Sequence, residues 1–191
     1  EHIAITEKQG FSYRTLLGEL LYAYVTCRPD IGYAVTTLSK FSTCPSTYHF
    51  TLLKGVAKYL RSTIDWGIVY HKTVHDQSLP PSNADIVLHD AELPEFPVPS
   101  RPDQLVGFVD AAHANDLRNR RSTTGYAFVL AGGAIASRST TQTITATSST
   151  EAEFLAAVMA AKQARYIRSI MREIGFPQDG PTPIYEDNQS A

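Results

Sequence analysis

Ser148-Ser149-Thr150-Glu151-Ala152-Glu153-Phe154-Leu155-Ala156-Ala157 opens the stretch on which the fold turns. A serine followed three residues later by glutamate is the capping-box pattern: the hydroxyl takes an orphan amide and the carboxylate reaches back. Phe154, Ala157, Val158, Ala161, Ile167, Met171 and Ile174 then recur at helical spacing, which predicts one buried face. Gly175 ends the helix, because glycine accepts the left-handed backbone of a C-terminus.

On either side of this helix the period changes to that of strands. Downstream, Pro183-Ile184-Tyr185 reads as a strand that delivers Glu186-Asp187. Upstream, Leu105 to Val109 is a β-rich run ending at Asp110, and Tyr126 to Leu130 is a second strand. Gly132-Gly133 supplies a tight turn into Ala134-Ile135-Ala136-Ser137, and Ile144 starts another short extended stretch. Strand, strand, strand, helix, strand predicts a mixed α/β domain over 105–191, with acids at the exits of its first and last strands.

Further upstream, residues 71–104 show no period and hold Pro80, Pro81, Pro94, Pro97, Pro99 and Pro102. They also carry Asp76, Asp85, Asp90, Glu92, Glu95 and Asp103 against Lys72 and Arg101, the composition of an acidic linker. Residues 1–70 read as a small helical module. Tyr13, Leu16, Leu17, Leu20, Leu21 and Tyr24 mark a first helix; Ile31, Ala34, Val35, Leu38 and Phe41 mark a second, opened at Pro29. Pro45 breaks it, Ser46 caps a third with Phe50, Leu53, Val56, Ala57 and Leu60 inward, and Gly67-Ile68-Val69-Tyr70 reads as a short strand.

Composition narrows the class. In 191 residues, 43% are hydrophobic and 19% charged, which excludes wholesale disorder and leaves room for two small domains. No apolar run reaches membrane-spanning length, and the first residues lack the order of a signal peptide. Cys27 and Cys44 stand in unrelated contexts, which offers neither a zinc site nor a disulfide framework. The expected setting is intracellular and reducing, not secreted. A net charge of -2 neither favours nor excludes a nucleic-acid partner.

The chemistry is carried by three acids. Hydrolysis of a phosphodiester by two divalent cations needs carboxylates converging from separate elements, holding the ions roughly 3.5–4 Å apart. Asp110 at one strand end, Glu153 in the first turns of the helix and Asp187 at another strand end can meet if the helix packs across the sheet. Taken singly, each acid has a structural explanation: aspartates after strands are commonly turn residues and glutamates in first turns commonly serve the cap. Glu151 fills that capping role, which leaves Glu153 without a local partner.

Longer strings sharpen the reading. Ser148-Ser149-Thr150-Glu151-Ala152-Glu153-Phe154, Tyr185-Glu186-Asp187-Asn188-Gln189-Ser190-Ala191 and Asp116-Leu117-Arg118-Asn119-Arg120-Arg121-Ser122-Thr123-Thr124-Gly125-Tyr126 strongly resemble the ribonuclease H domain of copia-type retrotransposons. Tyr13-Arg14-Thr15-Leu16-Leu17-Gly18-Glu19-Leu20-Leu21-Tyr22 and Arg28-Pro29-Asp30-Ile31-Gly32-Tyr33-Ala34-Val35 resemble the region just after the polymerase palm. The resemblance covers nearly the whole chain outside the linker. It implies a ribonuclease H-like mixed sheet with a packed helix, preceded by a thumb- or connection-like helical module of a reverse transcriptase. It also implies that Asp110, Glu153 and Asp187 coordinate two Mg2+ ions, with Mn2+ as a substitute, to cut the RNA strand of an RNA–DNA hybrid. The implied partners are that hybrid and the rest of the Pol polyprotein, in the cytoplasm, a virus-like particle or the nucleus. Polymerase chemistry is not expected, since the chain contains no Asp-Asp pair.

Arg118, Arg120, Arg121 and Arg138 are candidate phosphate contacts, and a solvated basic loop is the equal alternative. Asn188 and Gln189 stand where they can reach sugar hydroxyls or cap a following helix. His113 reads as a packing residue, and Arg165, Arg168 and Arg172 as a solvated helix face. The sequence departs from the family where Ala112 and His113 replace an acid and a tryptophan, and where Glu186 replaces a small or apolar residue. The resemblance further implies a fourth acid and a histidine beyond position 191, so the domain reads as incomplete at its C-terminus. A decayed retroelement fragment that keeps the fold, and grips nucleic acid without cutting it, is therefore the competing reading.

Overall fold

The computed structural model describes residues 9–70, 103–116 and 119–187, so the linker read at 71–104 lies outside the described residues except for Asp103 and Gln104. The helical module forms as three helices: α1 (Tyr13–Thr26), α2 (Gly32–Ser39) and α3 (Thr47–Ser62), with a 3-10 turn at Pro29–Ile31. Ser12 caps α1 and Ser46 caps α3, where the His49 ring accepts the Ser46 amide at 3.0 Å. Their apolar faces close on one another as Tyr13, Leu17, Leu20, Ile31, Val35, Leu38, Phe50 and Leu53, all buried. Buried Tyr13 places its hydroxyl on the Leu38 carbonyl at 2.9 Å, which satisfies its one polar atom. The strand expected at Gly67–Tyr70 does not form. That segment has no ladder partner among the described residues; instead the Tyr70 hydroxyl donates to the Ala134 carbonyl at 2.9 Å.

The second module is a four-stranded mixed sheet in the order β3-β2-β1-β4 with α4 (Ser149–Glu173) packed on one face. Its strands are β1 (Val106–Ala112), β2 (Thr123–Leu130), β3 (Gly133–Thr141) and β4 (Ile184–Tyr185). β2 runs antiparallel to both β1 and β3, while β4 runs parallel to β1. The fold is thus mixed α/β, as the order of elements required. Details shift. β1 continues two residues past Asp110, because Ala111 and Ala112 pair with Thr124 and Thr123. The β2–β3 turn sits at Ala131-Gly132, both with positive φ, and Gly133 already belongs to the ladder, opposite Leu130. No strand forms at Ile144.

The buried face of α4 is also displaced in part from the expected one. Ala152, Ala156, Ala160 and Ala164 point at the sheet with Ile167 and Met171, whereas Phe154 and Ile174 are 62% and 63% exposed. Ile167 and Met171 lie on the expected face. In the first half of the helix the contact falls on Ala152, Ala156, Ala160 and Ala164 rather than on Phe154, Ala157, Val158 and Ala161, and these small residues let the helix axis approach Leu105, Val109, Ala111 and Phe128 closely. The helix ends at Gly175 (φ 88°) in a Schellman arrangement, with Phe176 N–H on the Met171 carbonyl at 2.8 Å and Gly175 N–H on Arg172 at 3.2 Å. The two modules touch where α2 meets β3 and where Lys40 pairs with Asp116 at 3.2 Å. No described helix is long and apolar enough to cross a membrane.

Candidate functional site

The parallel pairing of β1 and β4 sets the site. Phe108 lies opposite Tyr185, with their rings stacked 5.7 Å apart. Two residues further along come Asp110, still in β1, and Asp187, in a bend just past the end of β4, so the short parallel pairing brings the two carboxylates near one another. Glu153 arrives from α4. Its helix start is held by three contacts. Ser148 Oγ accepts the Glu151 amide at 3.1 Å. Gln142 Nε2 donates to Ala152 O at 2.8 Å and to Thr124 Oγ1 at 3.0 Å, which ties the first turn to the sheet. Glu151 performs the capping role, although its carboxylate takes the amide and hydroxyl of Thr147 rather than the amide of Ser148.

One carboxylate oxygen from each of Asp110, Glu153 and Asp187 lies within 4.8 Å of the others. Asp110 and Asp187 are exposed, but Glu153 is only 5% exposed and its Oε2 has no hydrogen-bond partner. A buried, unpaired carboxylate is costly, and it protonates unless something positive is supplied. Burial accordingly pushes the Glu153 carboxyl up to about 7, helped by the charges of Asp110, Glu186 and Asp187 and opposed by the Ala111 amide. All the available donors are oxygen, the preference of Mg2+ and Mn2+ rather than of softer cations. A cavity of about 400 Å3 adjoins the acids, lined by Phe108, Gly125, Ala127 and Tyr185 together with Asp110 and Asp187.

The structure gathers the three acids, and of the other candidates it describes Arg120, Arg121 and Arg138. Arg120 and Arg121 are exposed in a turn that closes on itself, with Asp116 N–H on Arg121 O at 3.1 Å and Arg120 N–H on Asp116 O at 2.7 Å. Arg138 is exposed in the middle of β3, opposite Tyr126, whose hydroxyl faces Gln163 of α4. It therefore starts from the α4 side of the sheet, two strands from Asp110. Arg118, Asn188 and Gln189 lie outside the described residues. His113 Nε2 is hydrogen-bonded to the Ala146 carbonyl at 3.3 Å.

Three participants escaped the sequence reading. Gln142 is 4% exposed and anchors the helix start, yet its partners lie ten and eighteen residues away, where no local pattern exists. Glu186, read only as a departure, has a buried and unpartnered Oε1 and adds charge beside Glu153. Arg168, read as a solvated residue, binds three oxygens of the chain leading to β4.

The class defined so far is a mixed α/β domain with three convergent carboxylates, joined to a helical module. Its kinship follows from sequence comparison. The chain is 32% identical over 179 residues, 94% of its length, to the retrovirus-related Pol polyprotein from transposon TNT 1-94 of Nicotiana tabacum. It is 31% identical over the same length to the corresponding polyprotein from transposon RE2 of Arabidopsis thaliana. A protein of Plasmopara viticola named secreted RxLR effector protein 161 is 33% identical over 155 residues, 81% of this chain and 90% of that one. Over nearly its whole length the chain is thus similar to retrovirus-related Pol polyproteins of plant transposons, which supports a retroelement fragment. It spans 11% and 10% of the two plant polyproteins. No family model and no solved structure matches it.

Proposed function

We propose that the 105–191 module is the ribonuclease H domain of a retrotransposon reverse transcriptase, hydrolysing the RNA strand of RNA–DNA hybrids. The observation that carries this reading is the meeting of Asp110, Glu153 and Asp187 from three separate elements, with one buried Glu153 oxygen left without a partner. Those three residues would hold two Mg2+ ions, or Mn2+ in their place. The ions supply activation of a water molecule and neutralisation of the departing oxygen. Asp110 and Asp187 present charge to solvent, where a phosphate backbone arrives, while Glu153 anchors from the protein side. Phe108 and Tyr185, stacked beside the acids, give a flat apolar surface against which a hybrid's groove can rest. The helical module at 1–70 is read as the thumb or connection of the same polyprotein.

The test is cleavage of an end-labelled RNA–DNA hybrid with Mg2+ or Mn2+, beside Asp110→Asn and an RNA–RNA duplex. Metal-dependent cutting of the hybrid alone, lost in Asp110→Asn, is the expected result. Folded protein that binds the hybrid without cutting it would sink the enzyme reading and leave a binding scaffold of a decayed element.

A further inference from the structure

The segment that carries Asp187 is weakly held by its own strand. β4 has two residues and meets β1 through two pairs, Gly107 with Ile184 and Phe108 with Tyr185, against a usual strand length of about five or six. The connection before it, from Gly175 to Pro183, contains Pro177, Pro181 and Pro183, which cannot donate backbone hydrogen bonds. Something else must fix where this chain runs.

Arg168 does so from α4. Its guanidinium donates to Gly180 O at 2.7 Å and Thr182 Oγ1 at 3.0 Å through one nitrogen, and to Gln178 O at 2.8 Å through another. The same loop is bound to the start of β1 by Gln178, whose Nε2 donates to Asp103 O at 2.7 Å and whose Oε1 accepts Leu105 N–H at 2.8 Å. Gly107 N–H then donates to Pro183 O at 2.9 Å, directly ahead of the first β1–β4 pair. Helix, loop and strand are thereby linked by one run of hydrogen bonds. Its last link fixes the register that sets Asp187 beside Asp110.

We infer that Arg168, with Gln178, is a positioning residue for the carboxylate cluster, acting by holding the β4 segment so that Asp187 converges with Asp110 and Glu153. This rests on Asp187 being a working ligand of the proposed site. Arg168 does not itself reach the acids: fifteen residues along α4 from Glu153 is a displacement of about 22 Å. Its planar fork serves three oxygens at once, a geometry that the point charge of lysine cannot copy.

The experiment compares Arg168→Ala, Arg168→Lys and the control Arg165→Ala, an exposed arginine of the same helix. Hydrogen exchange is followed residue by residue, and Mn2+ affinity is measured by calorimetry. In Arg168→Ala the amides of Ile184 to Asp187 are expected to exchange at least about tenfold faster, the scale of one lost charge-assisted bond on local opening, while α1–α3 and β2 stay protected. Mn2+ affinity should fall about 10–100-fold, as for other residues that orient metal ligands, with Arg168→Lys failing to restore it and Arg165→Ala leaving it unchanged. Unaltered protection at 184–187 overturns the inference, and so does loosening spread evenly over the whole domain. Should Arg168→Ala not fold, Gln178→Ala opens the same clasp from the β1 side and is read in the same way. A wild-type chain that binds no Mn2+, or binds it equally as Asp110→Asn, defeats the metal reading, whereas the exchange pattern separately decides the clasp.

Discussion

Replacing Glu153 by glutamine should make the metal-free protein more stable at alkaline pH. The Glu153 carboxyl is buried, lies near three other acids, and is pushed from its usual 4.5 up to about 7. Between those values the folded chain keeps a proton that the unfolded chain has already released. The unfolded state therefore binds fewer protons, and stability falls as pH rises through this window. At about 1.4 kcal/mol per pH unit, the interval from 4.5 to about 7 amounts to about 3 kcal/mol of destabilisation once the pH exceeds 7. Glutamine has nearly the same shape and never ionises, so Glu153→Gln removes that penalty. With EDTA at pH 8 the variant should melt about 6–12 °C above wild type, using about 2–4 °C per kcal/mol for a chain of this size. At pH 4 both proteins carry a neutral group and the two curves should converge. Adding Mn2+ at pH 8 should raise the wild-type melting temperature and leave Glu153→Gln nearly unmoved, since a bound cation offsets the buried charge. A melting difference that stays constant from pH 4 to pH 8 would refute the reasoning, because nothing would then be titrating at this site.

Two further substitutions test the frame that presents the acids. Gly107→Ala would place a methyl group 2.6 Å from the fully buried Phe128 ring, so the β1–β2 core must shift. The expected cost is about 1–3 kcal/mol in urea unfolding, reduced in the Phe128→Leu background; strictly additive losses would argue that the two positions do not collide. Arg28 is buried between helices, donating to Thr63 O at 3.0 Å and Thr63 Oγ1 at 2.7 Å and pairing with Asp30 at 2.7 Å. Arg28→Ala should cost about 2–3 kcal/mol by leaving those acceptors unmet, and an unchanged urea midpoint would exclude this contact as a support of the helical module.

What was legible in the sequence was local. Ser148 with Glu151, Gly175 and Ser46 each signal an element boundary through bonds made within a few residues, and each boundary appears where the pattern put it, whereas Pro29 opens a 3-10 turn and the helix follows from Gly32. The three acids were legible for the same reason: each stands at an end or first turn of an element whose type could be read. The register of α4 was legible at Ile167 and Met171, which are buried as expected, but not in its first half. Hydrophobic bulk at Phe154 and Ile174 suggested one face, but the distance between helix and sheet is decided by both partners, and it selected the alanine ridge. Nor could sequence place Gln142 or Arg168, whose partners are brought near only by folding.

The sequence by itself determined the class of elements, their order, and which side chains could carry charge into a site. Only the tertiary structure decided that Asp110 and Asp187 come near one another, that Glu153 is buried with one oxygen unmet, and that Arg168 is a clasp rather than a solvated cation. The physical reason is one of range. Caps, turns and periodicity are settled over a few residues of chain, whereas convergence and burial are settled by the packing of a helix on a sheet, which no short stretch encodes.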